Sequence, residues 1–162
     1  MSDSINYTLG RDYLTFTSID PHIIYYINEW NGLTLTDCDV TVGTPYGNVY
    51  SPGDILTYDP FSATFIIDEN WEVYETLSKM VISNAPTDGS SYNPTFTDIT
   101  LFLYNNTVKK TVAHIDMYNA YLQAITNVSN NYNIGDNTVP PRTVTCLFRY
   151  QYMKFFRENE EI

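Results

Sequence analysis

Positive charge is scarce in this chain. Eight Lys and Arg stand against nineteen Asp and Glu, a formal net charge of −11. Affinity for nucleic-acid phosphates comes chiefly from Lys and Arg, so this balance argues against a protein that wraps DNA or RNA tightly. An acidic surface still suits a protein that faces nucleic acid without sticking to it. Cysteine is equally sparse: Cys38 and Cys146 are too few for a disulfide framework, and both fall in expected strands as buried free thiols. His22 and His114 are the only histidines, far apart and without a second ligand nearby, so they read as structural or surface residues. There is no Gly-x-Ser-x-Gly, no Gly-rich phosphate loop and no Cys-x-x-Cys. No stretch resembles a secretory signal, and no run approaches the roughly 20 apolar residues of a membrane span. The reading is a soluble protein made in a cytoplasm, not inserted in a membrane.

Aromatic residues are abundant: fifteen Tyr, eight Phe and two Trp in 162 residues. Aromatic and β-branched side chains fit pleated, half-buried surfaces, which favours a mainly β protein. The length suits a single domain, 1–162, with an N-terminal arm at 1–12 and an acidic tail at 158–162. Charge is split along it. Residues 1–98 hold fourteen acids and two bases, a balance of −12, whereas residues 99–162 hold five acids and six bases, a balance of +1.

The most informative stretch is Gly53 to Ser83. Phe61, Ala63, Phe65 and Ile67 alternate with Ser62, Thr64 and Ile66, the period of a strand with one buried face. Asp68 then caps a helix expected at about 69–82, with Glu69 and Glu72 in its first turn. Val73, Leu77 and Met80 form its apolar stripe, flanked by Trp71, Tyr74 and Val81. Upstream, strands are expected at Tyr13–Thr17 and Ile23–Trp30, the latter open to a short helix instead. Asn31-Gly32 is a hairpin signal that should join it to Leu33–Val42. There, Asp37 and Asp39 share a face. Gly43 to Asp54 reads as a loop, either an interaction loop or an ordered surface loop. Downstream, Phe96–Tyr104 and Val108–Asp116 form an expected hairpin. Met117–Val128 is a bent strand or a short helix, with β favoured by context. Residues 129–141 are loop, and Arg142–Phe155 is one long strand.

No pattern marks an active site. Asp37 and Asp39 lack the Gly and later Glu of a helix-loop-helix calcium site. Pairs such as Asp54 and Asp59 are inevitable among nineteen acids, so a glycosidase reading has no special support. Trp30, Trp71 and the tyrosines suit either a sugar platform or core and interface packing. Aromatic strands, split charge and no evident site suit a self-assembling structural subunit. No cofactor or metal is expected.

The run TPYGNVYSPGDILTYDPFSATFIIDENWEVYETLSKMV resembles the tail tube and tube-like baseplate proteins of contractile-tailed bacteriophages, including tube initiators. The likeness continues through FTDITLFLYNNTVKKTVAHIDMYNAYLQAI and CLFRYQYMKFF, so it covers most of residues 20–157. The resemblance implies a small antiparallel β-sandwich or barrel with one flanking helix. It also implies a non-enzymatic virion protein of the phage tail, assembled in the host cytoplasm. Its partners would be further copies in a homohexameric ring, adjacent tube, baseplate or neck rings, and the sheath, with DNA passing transiently through the ring. On that basis Asp37, Asp39, Ser62 and Thr64 are candidates for the channel wall, with solvent outside the ring the other location open to the aspartates and the next subunit the other one open to Ser62 and Thr64. Thr44, Pro45, Tyr46, Gly47, Tyr50 and Asp54 are candidates for ring contact. Trp71, Val73, Tyr74, Leu77 and Met80 are candidates for a helix bracing the barrel. The tail layer, whether tube, initiator or terminator, is left open. A carbohydrate- or host-binding β-sandwich is the alternative function, with an enzyme third.

Overall fold

The computed structural model describes residues 12–17, 19, 23, 26–89, 91–105, 110–126, 128 and 141–157. Most of the N-terminal arm, the 129–141 loop and the acidic tail therefore lie outside the described residues. The elements run β1 (Tyr13–Phe16), β2 (Ile27–Asn31), β3 (Leu35–Thr44), β4 (Gly47–Tyr58), β5 (Phe61–Ile66), α1 (Glu72–Asn84), β6 (Thr97–Asn105), β7 (Lys110–Thr126), β8 (Thr143–Arg149) and β9 (Tyr152–Arg157). This is the expected mainly β fold with a flanking helix, and every strand pairing is antiparallel.

Strand order is β1-β6-β7-β8-β5-β2, with β9 also on β7 and β3-β4 forming a separate two-stranded ribbon. Among the described residues the path is open at β1 and β2, so the sheet does not close into a barrel. Its turning point is β7. Tyr118 pairs with Tyr152 of β9, while Tyr121 pairs with Arg149 of β8. Between them Asn119 takes a left-handed φ of 50°, and Gln151 donates its N–H to the Tyr118 carbonyl at 3.0 Å. The Asn119 N–H is held by Asp98 Oδ1 at 2.9 Å. β7 thus carries the chain from one half of the sheet, β1-β6-β7-β9, into the other, β7-β8-β5-β2.

The core fills the space inside that bend. Phe61, Ala63 and Phe65 of β5 are fully buried, as are Val144, Cys146 and Phe148 of β8 and Leu122 of β7. Phe16 packs against Phe65 and Phe148, with ring centres 6.2 and 5.3 Å apart. Val73, Leu77 and Met80 of α1 close the core, so the helical stripe packs as its spacing predicts.

The helix begins at Glu72, three residues later than expected. Residues 68–71 form a turn closed by Trp71 N–H on the Asp68 carbonyl at 3.1 Å, and Trp71 sits at φ 62°. Asp68 nevertheless does the work of a cap from outside the helix. Its carboxylate accepts N–H bonds from Asn70, Glu72 and Val73 at 3.2, 3.2 and 3.0 Å. The Val73 N–H bond above all holds the Asp68 carboxyl below its usual range. At the other end Asn84 donates from Nδ2 to the Leu122 carbonyl at 3.1 Å and accepts from Thr95 N–H at 2.9 Å, tying α1 to β7.

Ile23 is helical, its carbonyl accepting the Tyr26 N–H at 3.0 Å, as the helix alternative allowed, and the strand begins only at Ile27. Three other expectations are corrected. The Asn31-Gly32 hairpin does not form: β2 pairs with β5, and Gly32 (φ 147°) and Leu33 (φ 68°) turn the chain away. Gly32 lies flat on Phe61, where a Cβ would come within 2.9 Å of the ring, so burial of Phe61 decides this turn. The long C-terminal strand is broken at Tyr150 and Gln151, opposite the bend in β7. Finally, Gly43 to Asp54 is not a loop. It is the end of β3, a two-residue turn at Pro45 and Tyr46, and most of β4. Elsewhere the expected strands at β1 and β6 form, and Met117–Val128 continues β7 to Thr126, as the β reading held.

Leu77→Ala removes a fully buried side chain and should lower unfolding free energy by about 2–5 kcal/mol. Trp71 is 39% exposed, so Trp71→Ala should cost less, within about 1 kcal/mol. Urea denaturation of both variants followed by circular dichroism checks the difference.

Candidate functional site: a projecting hairpin

β3 and β4 build a ribbon whose residues are almost all exposed. The sequence alternates well enough to pair, and the turn is chemically specified. The Thr44 hydroxyl donates to the Gly47 carbonyl at 2.6 Å, and Gly47 takes a φ of 133° that disfavours other residues. Register runs Thr44↔Gly47, Val42↔Val49, Val40↔Ser51, then Asp37↔Leu56 and Leu35↔Tyr58. Between Asp39↔Pro52 and Asp37↔Leu56, Cys38 alone stands opposite Gly53, Asp54 and Ile55, a bulge. Gly53 is required there, because a Cβ would collide with the Cys38 carbonyl oxygen and Sγ. Pro52 sits where the bulge interrupts the ladder, so its missing N–H is tolerated.

The root is firmly held. Asp59 N–H bonds the Thr34 carbonyl at 3.2 Å, Leu33 packs on the core, and the Tyr58 ring lies 5.6 Å from that of Tyr150. The ribbon exposes large apolar side chains. Leu35, Val40, Val42, Val49, Tyr50 and Ile55 are all exposed, and Tyr46 at the tip is 100% exposed. Pairing parity sorts the two faces. One carries Val40, Val42 and Val49 with Thr36, Thr44, Ser51 and Thr57, and no charge. The other carries Leu35, Asp37, Asp39, Thr41, Tyr50, Leu56 and Tyr58. A two-stranded ribbon is marginal by itself, and an exposed edge with apolar faces is an association hazard unless something covers it.

This ribbon brings together residues the sequence had separated. Thr44, Pro45, Tyr46 and Gly47 form its tip, Tyr50 and Asp54 lie in β4, and Asp37 and Asp39 share a face with Tyr50. Ser62 and Thr64 are elsewhere, on the outward side of β5. Ser62 Oγ donates to the Asn31 carbonyl at 3.3 Å, and Thr64 Oγ1 lies 3.2 Å from Thr145 Oγ1. The helix residues divide as well. Val73, Leu77 and Met80 are buried and Tyr74 is half-buried. Trp71 is exposed, edge-on to Tyr74 at 5.6 Å, with the Arg142 guanidinium 5.5 Å above its ring.

A second surface was missed in the sequence. Tyr13, Phe102, His114 and Phe156 form a row across β1, β6, β7 and β9, with successive ring centres 4.6, 6.0 and 5.0 Å apart. Beside it, Tyr118 stacks on Tyr152 at 4.8 Å and Lys154 Nζ sits over both rings. Asp116 accepts from Thr100 Oγ1 at 2.8 Å and Tyr118 OH at 3.3 Å. Partial burial, then the Asp116 carboxylate, hold the Tyr118 hydroxyl above its usual range. Strand alternation shows that these side chains share a face, but only the register of four strands makes them a row. Among the described residues, no group of three or more His, Cys, Asp or Glu could hold a metal ion.

The two thiols differ sharply. Burial pushes Cys146 up to about 12, whereas Cys38 is half-buried in the ribbon. In native protein at pH 8, Ellman's reagent should therefore modify Cys38 readily and leave Cys146 intact until denaturant is added. Equal reaction of both would mean that the β8 core is more open than described.

No protein-family model matches the chain, and no curated protein matches it in sequence. Solved structures do match it. The anti-feeding prophage tube-terminating cap superimposes with a TM-score of 0.68 at 12% identity, over 96% of this chain and 95% of that one. The sheath/tube terminator of an extracellular contractile injection system, PVC, gives 0.67 at 12% identity, over 95% and 99%. A chain of the six-fold symmetrised anti-feeding prophage baseplate gives 0.62 at 13% identity, over 94% and 97%. At such identities the shared property is the fold. It is the tail-tube-like fold that the sequence resemblance implied, here in contractile injection systems.

Proposed function

We propose that this chain, which folds like cap, terminator and baseplate subunits of contractile injection systems, is a non-enzymatic structural subunit that builds, initiates or caps an inner tail tube. The observation that carries this is the projecting ribbon of residues 35–58, rooted in the core and almost wholly exposed among the described residues. Such a ribbon is finished only by assembly. The subunits form a homohexameric ring in the tail of a phage or phage-like particle, and adjacent tube, baseplate, neck or sheath proteins stack against it. The tip at Thr44–Gly47, with Tyr50 and Asp54, makes contact between neighbouring units. Ser62 and Thr64, with Thr145 beside them, give a hydroxyl wall to the channel, and Asp37 and Asp39 give it negative charge. Such a wall does not bind DNA phosphates as the polymer passes.

A glycan-binding role has one observation in its favour, the aromatic row from Tyr13 to Phe156. Rings of that kind can stack on sugar faces, and a glycan array would detect it.

Negative-stain microscopy of the purified protein tests the assembly reading. Rings or short tubes are expected from the full chain, and folded but unstacked particles from a chain in which residues 44–54 are replaced by Asn-Gly. Monomers from the full chain, or normal stacking without the tip, would contradict the reading.

A further inference from the structure

A buried hydroxyl without a partner lies at the root of the ribbon. Tyr150 is 8% exposed, and its Oη makes no hydrogen bond among the described residues. A buried hydroxyl has given up its bonds to water, so one left unpaired is a cost that the fold carries. The backbone beside it is fixed. Tyr150 stands at the break between β8 and β9, where Gln151 N–H bonds the Tyr118 carbonyl at 3.0 Å and Asn119 Nδ2 donates to Gln151 Oε1 at 3.0 Å. Its ring faces Tyr58, the last residue of β4, with centres 5.6 Å apart and planes tilted by 56°. Burial first, then Tyr58 and Asp59, hold the Tyr150 hydroxyl above its usual range, so it stays a donor at neutral pH.

The ribbon side of the root is differently constrained. Leu33 and Tyr58 pack on the core, and the Asp59 N–H bond to the Thr34 carbonyl at 3.2 Å joins the two connections that lead into the ribbon. These contacts fix where the root sits. They leave the tilt of the ribbon open, because β3 and β4 pair only with each other among the described residues. Asp59 follows Tyr58 directly and is exposed, so its carboxylate is an acceptor placed beside the unpaired donor.

We infer that Tyr150 Oη and the Asp59 carboxylate form a latch that sets the tilt of the ribbon, open in this structure and closed when the ribbon seats against another copy. Closing gives the unpaired hydroxyl a charged acceptor, the stronger kind of hydrogen bond. It also takes an exposed carboxylate out of part of its water, which opposes the gain. With the two effects opposed, the contact that the ribbon makes with a neighbour decides which state is held. A ribbon latched at one angle presents its exposed side chains to the neighbour without losing further freedom, so the latch strengthens assembly by pre-organisation. It rests on the reading of the chain as a self-assembling subunit and supplies what holds the ribbon in place once it docks.

A double-mutant cycle of Tyr150→Phe and Asp59→Ala tests it, read in two ways. In dilute monomer, urea unfolding of Tyr150→Phe should come no earlier than that of the unmutated chain, because the hydroxyl it removes makes no bond there. In sedimentation velocity over a concentration series, each single variant should need a several-fold higher concentration to assemble, and the double variant no more than either single one. Assembly of Tyr150→Phe or Asp59→Ala at the unmutated concentration overturns the latch. So do effects that multiply in the double variant, since the two groups would then act separately. A Tyr150→Phe monomer that unfolds markedly earlier overturns it as well, because the hydroxyl would already be bonded before assembly. The unmutated chain separates the two claims: if it assembles and the variants do too, the assembly reading stands and the latch is removed. If it stays monomeric at every concentration, both fail.

Discussion

Burial of the Phe61, Ala63 and Phe65 face is the constraint on which the rest of the molecule depends. Each Phe taken fully out of water contributes about 1.5–3 kcal/mol, and the three residues lie where both sheet neighbours and the helix converge. β8 supplies Phe148, Cys146 and Val144 in direct register with them. Gly32 presses its backbone on Phe61, Trp30 stacks on the same ring at 5.9 Å, and Phe16 reaches Phe65 from the other half of the sheet. β5 is flanked at both edges, by β2 and β8, and β7 bends so that the other half of the sheet folds over the buried face of β5. The left-handed Asn119 and the matching break at Tyr150 are how two long strands serve both halves. The stripe of α1 then seals what the strands leave open.

That constraint was legible in the sequence wherever it acts locally. The two-residue period of Phe61 to Ile67 and the Val73, Leu77, Met80 spacing each have one physical interpretation, and each packs accordingly. Asp68 was legible as an acceptor for helical N–H groups, although Trp71 intervenes and moves the helix start. Partner choice was not legible. Asn31-Gly32 favours a hairpin by local chemistry, but pairing β2 with β5 covers Phe61, and that gain outweighs a local turn preference. Gly43 to Asp54 is dense in Gly, Pro and Asn, which normally signals a loop. Here Pro45 occupies the turn, Pro52 a bulge, and Gly53 the only position too tight for a side chain. The aromatic row needs four strands in register, and register is a tertiary property.

The same burial explains why the ribbon is left outside. With β5 flanked by β2 and β8, only Tyr58 at the root of the ribbon packs on the core, and among the described residues β3 and β4 pair with no other strand. Natural edge strands are usually short, charged or covered. This one is long and carries exposed Val, Tyr and Leu, so its sequence makes sense as half of a contact. The chain shares its fold with cap, terminator and baseplate proteins of contractile injection systems.

In the assembly proposed above, residues 35–58 are completed only by another copy. Hydrogen exchange measured by mass spectrometry, on dilute monomer and on concentrated assembled protein, tests it most directly. The β5, β7 and β8 amides should be protected in both states, while peptides from 35–58 exchange quickly in the monomer and become strongly protected on assembly. Equal protection of the ribbon in the two states, whether fast or slow, would contradict the account.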